Sequence, residues 1–187
     1  MFKKIVVVLF LSLFTVTQAW ANEPAWQTID PSKSSLQATF TQFSIPVSGD
    51  FKQFEGRVFY DSAQLETTRA QLSVNTASYD LGDPLYNEEV AGEDWFFSTR
   101  YPQALFELTG VSRKEATLFA NGRFTLRGVT KDIRFPVKVN TANGLHHFSG
   151  KFSIKRLDYG VGQGDWADEA LVNDEVVIDF KMVVPSK

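Results

Sequence analysis

The sequence predicts an all-β domain, an antiparallel barrel of eight strands with a short helical arm at one end. Three observations predict it. After residue 21, apolar and polar residues alternate with a period of two along nearly the whole chain, punctuated by turn signals. One stretch, Tyr79–Leu108, breaks that alternation. Of 17 phenylalanines, all but Phe2, Phe10 and Phe14 follow residue 21, supplying the bulky inward side chains a small barrel needs. A two-sheet sandwich alternates in the same way; barrel closure is favoured because it removes exposed edges.

Residues 1–21 read as a secretory leader, with Lys3 and Lys4 before an apolar run from Ile5 to Val16 and an A-x-A signal at Ala19-Trp20-Ala21. Cleavage after Ala21 leaves 22–187 as a single domain; an uncleaved anchor is the alternative. No cysteine follows the apolar run, so lipid attachment is not expected. The export signal looks bacterial and points to the periplasm. The chain has no cysteine at all, which excludes disulfides, thiol chemistry and thiolate metal sites. The full chain carries a net charge of −3, and loss of the two leader lysines makes it more acidic. That balance argues against nucleic-acid binding.

Leu36, Ala38 and Phe40 alternate with polar residues as a first half-buried strand. Ile45-Pro46-Val47-Ser48-Gly49-Asp50 reads as a turn. The next strand carries Phe54, Gly56, Val58 and Tyr60 on one face, and Gly56 suggests a bulge or sharp bend. Asp61-x-x-Gln64 suits the cap of a short helical turn. Ala70, Leu72, Val74 and Thr76 form another inward face. In the central arm, Asp83 can cap a helix, Pro84 suits its first position and Gly92 can end it, with Leu85, Tyr86 and Val90 as its apolar side. Trp95-Phe96-Phe97 cannot all hide on one face of one strand. They need burial from several directions, which is consistent with an arm closing a barrel end.

Ala104, Phe106 and Leu108 resume the strands, followed by Leu118, Ala120, Gly122, Phe124 and Leu126. Arg127-Gly128-Val129-Thr130 is a tight connection. Ile133, Phe135, Val137 and Val139 follow, and Pro136 on the outward face implies an edge or bulge. Asn143-Gly144 marks a hairpin. Phe148, Gly150, Phe152 and Ile154 precede a Gly- and Asp-rich loop, 157–173. Val176, Ile178, Phe180, Met182 and Val184 form the last strand.

The inventory for catalysis is thin. His146 and His147 are the only histidines; being adjacent in a strand, they point to opposite faces and cannot chelate one metal together. There is no G-x-S-x-G and no H-E-x-x-H. Gly160-x-Gly162-x-Gly164 matches neither G-x-G-x-x-G nor a phosphate loop and reads as a flexible loop. Asp158, Asp165, Asp168 and Glu169 lack calcium-loop spacing. Trp166 in such a loop suits a ring packed on a barrel mouth with its N–H on a partner. These residues favour binding over catalysis.

Six motifs in order resemble the YceI-like family of exported bacterial lipid-binding proteins: Trp26-x-x-Ile29-Asp30; Gly49-x-Phe51-x-x-Phe54-x-Gly56; Trp95-Phe96-Phe97; Tyr101-Pro102-x-Ala104-x-Phe106; Gly122-x-Phe124-x-Leu126-Arg127-Gly128-Val129-Thr130; and Arg156-x-Asp158-Tyr159-Gly160-Val161-Gly162. The resemblance implies a lipocalin-like barrel whose apolar tunnel holds an isoprenoid lipid, a polyprenyl phosphate or a prenylated quinone, bordered by the arm and the Gly-rich loop. No cofactor is implied beyond that ligand. Asp165-Trp166-Ala167-Asp168 resembles the branch associated with membrane cytochrome b561, which implies a respiratory partner. A homodimer stays open. The family often carries His where this chain has Lys33 and Gln42; Lys33 is the substitute if the head group is anionic.

Candidate lining residues are Phe40, Phe51, Phe54, Leu72, Val74, Leu85, Trp95, Phe97, Phe106, Phe124, Phe135, Phe152, Trp166, Ile178 and Phe180, with Trp95, Phe97 and Trp166 at the mouth or lid. Three function classes follow: a periplasmic lipid carrier or store, an interaction module for a membrane respiratory complex, and an enzyme acting on an isoprenoid. The first is preferred.

Overall fold

The structure, a computed structural model, describes residues 25–186. The expected leader lies outside the described residues. Eleven strands and one helix follow in order: β1 (Gln27–Thr28), β2 (Ser35–Gln42), β3 (Ile45–Phe51), β4 (Phe54–Phe59), β5 (Arg69–Asn75), β6 (Tyr79–Asp80), α1 (Pro84–Ala91), β7 (Gln103–Lys114), β8 (Thr117–Leu126), β9 (Val129–Ala142), β10 (Leu145–Lys155) and β11 (Val172–Pro185). They form one antiparallel sheet in the order β1-β4-β5-β7-β8-β9-β10-β11-β2-β3-β6, so the two-sheet alternative does not apply.

The count of eight strands is corrected to eleven. β1 and β6 are two-residue pairings too short to show as alternation. β3 and β4 are interrupted only by Lys52 and Gln53. The sheet curls so far that the chain steps from one end of the strand order to the other across those two residues. Their backbones bond to one stretch of chain, Lys52 N to the Ser78 carbonyl and the Asn75 N–H to Gln53 O, both at 3.0 Å. On the other side Asp30 N donates to the Val183 carbonyl at 2.8 Å, tying the β1 end to β11.

The residues read as a turn at 45–50 are strand β3. The real turn is Phe43-Ser44, both in the left-handed region at φ 49° and 65°, closing Gln42 against Ile45. Neither residue is Gly, Asn or Asp, so the turn leaves no usual signature. Pro46 is tolerated because the far edge of β3 pairs only at Asp50 and Phe51. Gly56 makes no bulge: its register with Leu72 is unbroken, and a Cβ there would stand 2.8 Å from Ile29 Cδ1. Asp61 Oδ1 accepts from Ala63 N at 2.8 Å and the Asp61 carbonyl from Gln64 N at 3.2 Å, but the short 3-10 turn falls later, at Leu65–Thr67.

Other local expectations match. Asp83 Oδ1 accepts from Leu85 N at 2.8 Å, Pro84 opens α1, and Gly92 follows its last residue. Asn143 and Gly144, at φ 53° and 73°, make the β9–β10 hairpin. That ladder runs from Ala142↔Leu145 to Val137↔Gly150, and among the described residues it stops at Pro136. Beyond it, side chains hold β9 to β10 and to the turn that follows it: Phe135 stacks on Phe152 at 4.6 Å and 16°, and Lys131 pairs with Asp158, just past β10, at 2.7 Å. Inward residues of successive strands meet in register, Phe40 beside Val176, Ala38 beside Ile178 and Leu36 beside Phe180. The core is therefore the inside of the curled sheet.

Candidate functional site

Inside the sheet lies an apolar cavity of about 200 Å³. Ten of the expected residues line it: Phe40, Phe51, Leu72, Val74, Trp95, Phe106, Phe124, Phe152, Ile178 and Phe180. Five do not. Phe54 packs on the core without reaching the cavity, and Phe135 is buried in a second cluster with Leu108 and Ala120. Trp166 lies behind Trp95, ring centroids 5.5 Å apart, with its N–H donated to Glu89 Oε1 at 3.2 Å. Phe97 turns away at φ 50° and sets its ring edge-on to Tyr101. Leu85 is 76% exposed and Tyr86 64%. On α1 only Val90 is buried, because Asn87 anchors the helix by accepting from Leu81 N and donating to Asp80 Oδ1.

The lid over this end is the stretch Val90–Phe96, in which Val90, Trp95 and Phe96 line the cavity. Two arginines hold it. Arg127 and Gly128, at φ 48° and 76°, form the β8–β9 turn. That turn aims the Arg127 guanidinium at the carbonyls of Glu93 and Trp95. Arg156 is 1% exposed and grips the following loop. Its Nε donates to Asn173 O, Nη1 to the carbonyls of Val161 and Gly162, and Nη2 to those of Trp166 and Val172, at 2.6–3.1 Å. Burial lowers its pKa, while the charges of Asp174 and Glu169 act the other way. The loop expected to be flexible is thus tied inward, and it binds the lid through Gly162 N and Gln163 N, both on the Asp94 carbonyl at 2.8 and 2.7 Å.

Neither arginine's role was read from the sequence. A signal existed for Arg156: it continues the inward series Phe148, Gly150, Phe152, Ile154 of β10 by two residues. The order of the motifs at 122–130 and 156–162 now has a physical meaning, since each supplies one clamp on the same lid.

The cavity holds few polar groups. Tyr79 donates its hydroxyl to Ala38 O at 2.8 Å, and burial pushes that phenol up. Thr76 Oγ1 lies 3.0 Å from Ser98 Oγ and 2.9 Å from Tyr101 O. Two lining residues keep a buried polar atom with no hydrogen-bond partner, Trp95 Nε1 within the lid and Thr68 Oγ1 just before β5. His146, packed edge-on against Tyr60 and near Thr141 Oγ1 at 2.7 Å, has its pKa lowered by burial. Among the described residues no three His, Asp or Glu side chains gather to hold a metal ion. Lys33 lies outside the cavity and pairs with Asp30 at 2.8 Å.

A family model described as YceI-like domain matches residues 27–184. The crystal structure of BcnA from Burkholderia cenocepacia is 36% identical, superposes with a TM-score of 0.81, and is matched over 83% of this chain and 98% of its own. A polyisoprenoid binding domain from Saccharophagus degradans shares 17% identity, a TM-score of 0.69, and coverage of 88% of this chain and 100% of its own. At that identity the likeness is one of fold. Protein YceI of Shigella flexneri is 31% identical over 91 residues, 49% of this chain and 48% of that protein. A UPF0312 protein of Pseudomonas putida (strain W619) is 34% identical over 95 residues, 50% of each chain. The match thus spans about half the length of these curated relatives.

Proposed function

The chain belongs to the YceI-like domain family, and from that premise we propose that it takes an isoprenoid lipid into its cavity and carries or stores it in the periplasm, without catalysis. The observation that carries this reading is the cavity, walled by aromatic and aliphatic side chains from nearly every strand and closed by a clamped lid. A volume of about 200 Å³ is below the several hundred Å³ of sites for drug-sized ligands, which suits a slender chain. Each five-carbon unit buried there contributes about 4 kcal/mol before the cost of ordering the chain. The fold shared with a polyisoprenoid binding domain supports the same reading. The leader-like residues 1–21 support export.

Native mass spectrometry of the mature protein purified from its host periplasm, followed by organic extraction, tests it. A stoichiometric apolar adduct is expected. A clean apo mass, with no uptake of added prenyl lipids, would overturn the reading.

A second reading draws on the exposed Leu85 and Tyr86 of α1. Large apolar side chains there suit docking to a protein partner, and a membrane cytochrome b561-type protein is the partner we propose. Co-purification from solubilised membranes, lost on Leu85→Ser with Tyr86→Ser and kept in cavity variants, would support it.

A further inference from the structure

The end of the protein that carries the lid also presents large apolar side chains to solvent. Phe43 is 61% exposed and Ile45 66%, at the turn between β2 and β3, and Leu85 and Tyr86 stand out from α1. α1 lies beside that turn. Asn87 ties it to Asp80, whose strand pairs with β3, and Glu89 ties it to Trp166, whose loop reaches the turn through the bond from Phe43 N to Leu171 O. Leu85 comes one helical turn before Glu89, so it shares the face of α1 that looks toward that loop.

The same end has an unfinished ladder. Even-numbered residues of the β3 stretch turn their backbone groups toward β6: Asp50 pairs with Asp80, and Lys52 N donates to Ser78 O. Pairing goes no further because the chain beyond β6 is drawn off, Leu81 N by Asn87 Oδ1 and Gly82 N by Asp80 Oδ1. Among the described residues, the N–H and C=O of Ser48 and the C=O of Pro46 on that edge are left unpaired, and both residues are exposed. An unpaired edge beside apolar side chains is a template for an added strand. Pro46 withholds one donor, which limits the addition to a short segment.

Charge selects the occupant. No Lys, Arg or His lies within 41–49, 81–99 or 160–172, whereas Glu88, Glu89, Asp165, Asp168 and Glu169 are all exposed there. Lys52, the next cation along the chain from β3, is already paired with Asp50 and Asp80. Anionic lipid head groups would meet like charge at this face, and so would the same face of a second copy; a cationic protein segment meets the opposite charge.

We propose that β3 and α1 together dock an extended, cationic segment of a partner protein, which adds to the free edge of β3 as a short strand and lays alternate apolar side chains against Ile45 and Leu85. This deepens the second reading above and rests on it in taking α1 as a docking element.

The test uses a short fluorescent peptide of alternating lysine and valine, read by anisotropy. Two comparison peptides replace lysine with glutamate, or keep lysine and are N-methylated at every backbone nitrogen. The lysine peptide is expected to bind, more weakly as salt rises, and each comparison peptide at least about tenfold more weakly. Ile45→Ser and Leu85→Ser, both at exposed positions, should each weaken the lysine peptide by roughly five- to tenfold. In the unsubstituted protein the Ser48 amide ¹H–¹⁵N resonance should move downfield with the lysine peptide and not with its N-methylated form. A glutamate or N-methylated peptide bound as tightly, an immobile Ser48 resonance, or a lysine peptide that does not bind would each overturn the added strand; docking on α1 would stand if co-purification is still lost on Leu85→Ser with Tyr86→Ser. Flotation with phosphatidylglycerol vesicles, or a dimer in sedimentation, either abolished by Ile45→Ser, would overturn the proposal in favour of a membrane or a second copy. If Leu85→Ser with Tyr86→Ser changes neither peptide binding nor co-purification, the α1 reading falls as well.

Discussion

The Arg156 guanidinium occupies the space that a side chain at Gly162 would need. A Cβ on Gly162 would collide with Arg156 Nη1, and the Gly162 backbone already sits at φ 76°. One residue is therefore glycine because another, six positions earlier, fills the ground beside it. The pair couples the end of β10 to the loop that holds the lid.

Gly162→Ala should cost about 2–4 kcal/mol of stability, from the left-handed backbone and the displaced guanidinium together. Urea unfolding of the two proteins checks it. An unchanged midpoint would show that the loop relaxes freely and that the clamp is weaker than its geometry indicates.

Arg156→Lys keeps the charge and loses the planar fork. Three rotatable donors cannot reach five carbonyls spread over Val161, Gly162, Trp166, Val172 and Asn173, so a loss of about 3 kcal/mol is expected. Release of the loop should also shift Trp166 fluorescence. A lysine variant as stable as the parent would mean that charge alone holds the loop.

Ala70 lines the cavity and touches both hydrophobic clusters. Ala70→Phe should abolish uptake of a prenyl lipid and lower stability by no more than about 3 kcal/mol, since the added ring enters space that is already free. Retained stoichiometric binding in a folded Ala70→Phe protein would place the ligand elsewhere.

Asp30 accepts from Lys33 Nζ and from Ser32, and these bonds hold its carboxyl at about 2 against an ordinary 3.8. A depressed carboxyl contributes stability that is fully present above the unfolded value and lost as pH falls from near 3.8 through about 2. Carboxyl ¹³C titration should give that low midpoint. Lys33→Ala should raise it toward 3.8, and a midpoint unmoved by the substitution would assign the shift to Ser32 alone.

Alternation made the strands legible because one face of every strand is buried, and the series at Ala70–Thr76 and Leu118–Leu126 points inward as expected. Turn chemistry was legible where it used ordinary residues, at Asn143-Gly144 and Asp83-Pro84. It was hidden at Phe43-Ser44, where tertiary contacts such as Phe43 N to Leu171 O hold two bulky or polar residues at positive φ. The site was legible for residues on strands and not for those on the arm. Leu85 looked buried because it is apolar, yet a two-turn helix fixed by Asn87 and Val90 has no second inward row to offer it. Arg156 is illegible in the pattern because a charged side chain on an inward face breaks the apolar alternation, and only the carbonyls of the loop that follows it make its burial tolerable.

The wall around the cavity has unequal compliance. Where β3 runs into β4, any widening must stretch continuous chain. Between Val129–Pro136 and the end of β10, widening asks side chains to part rather than a backbone ladder: the Phe135–Phe152 stack must slide, Phe124 and Tyr159 must separate, and Lys131 must leave Asp158 and the Tyr159 ring. Those contacts are worth about 0.5–1.5 kcal/mol for the stack and less than about 1 for the half-exposed ion pair. Any widening of the cavity therefore falls on that side, as a split ring yields at its gap and stays rigid at its back.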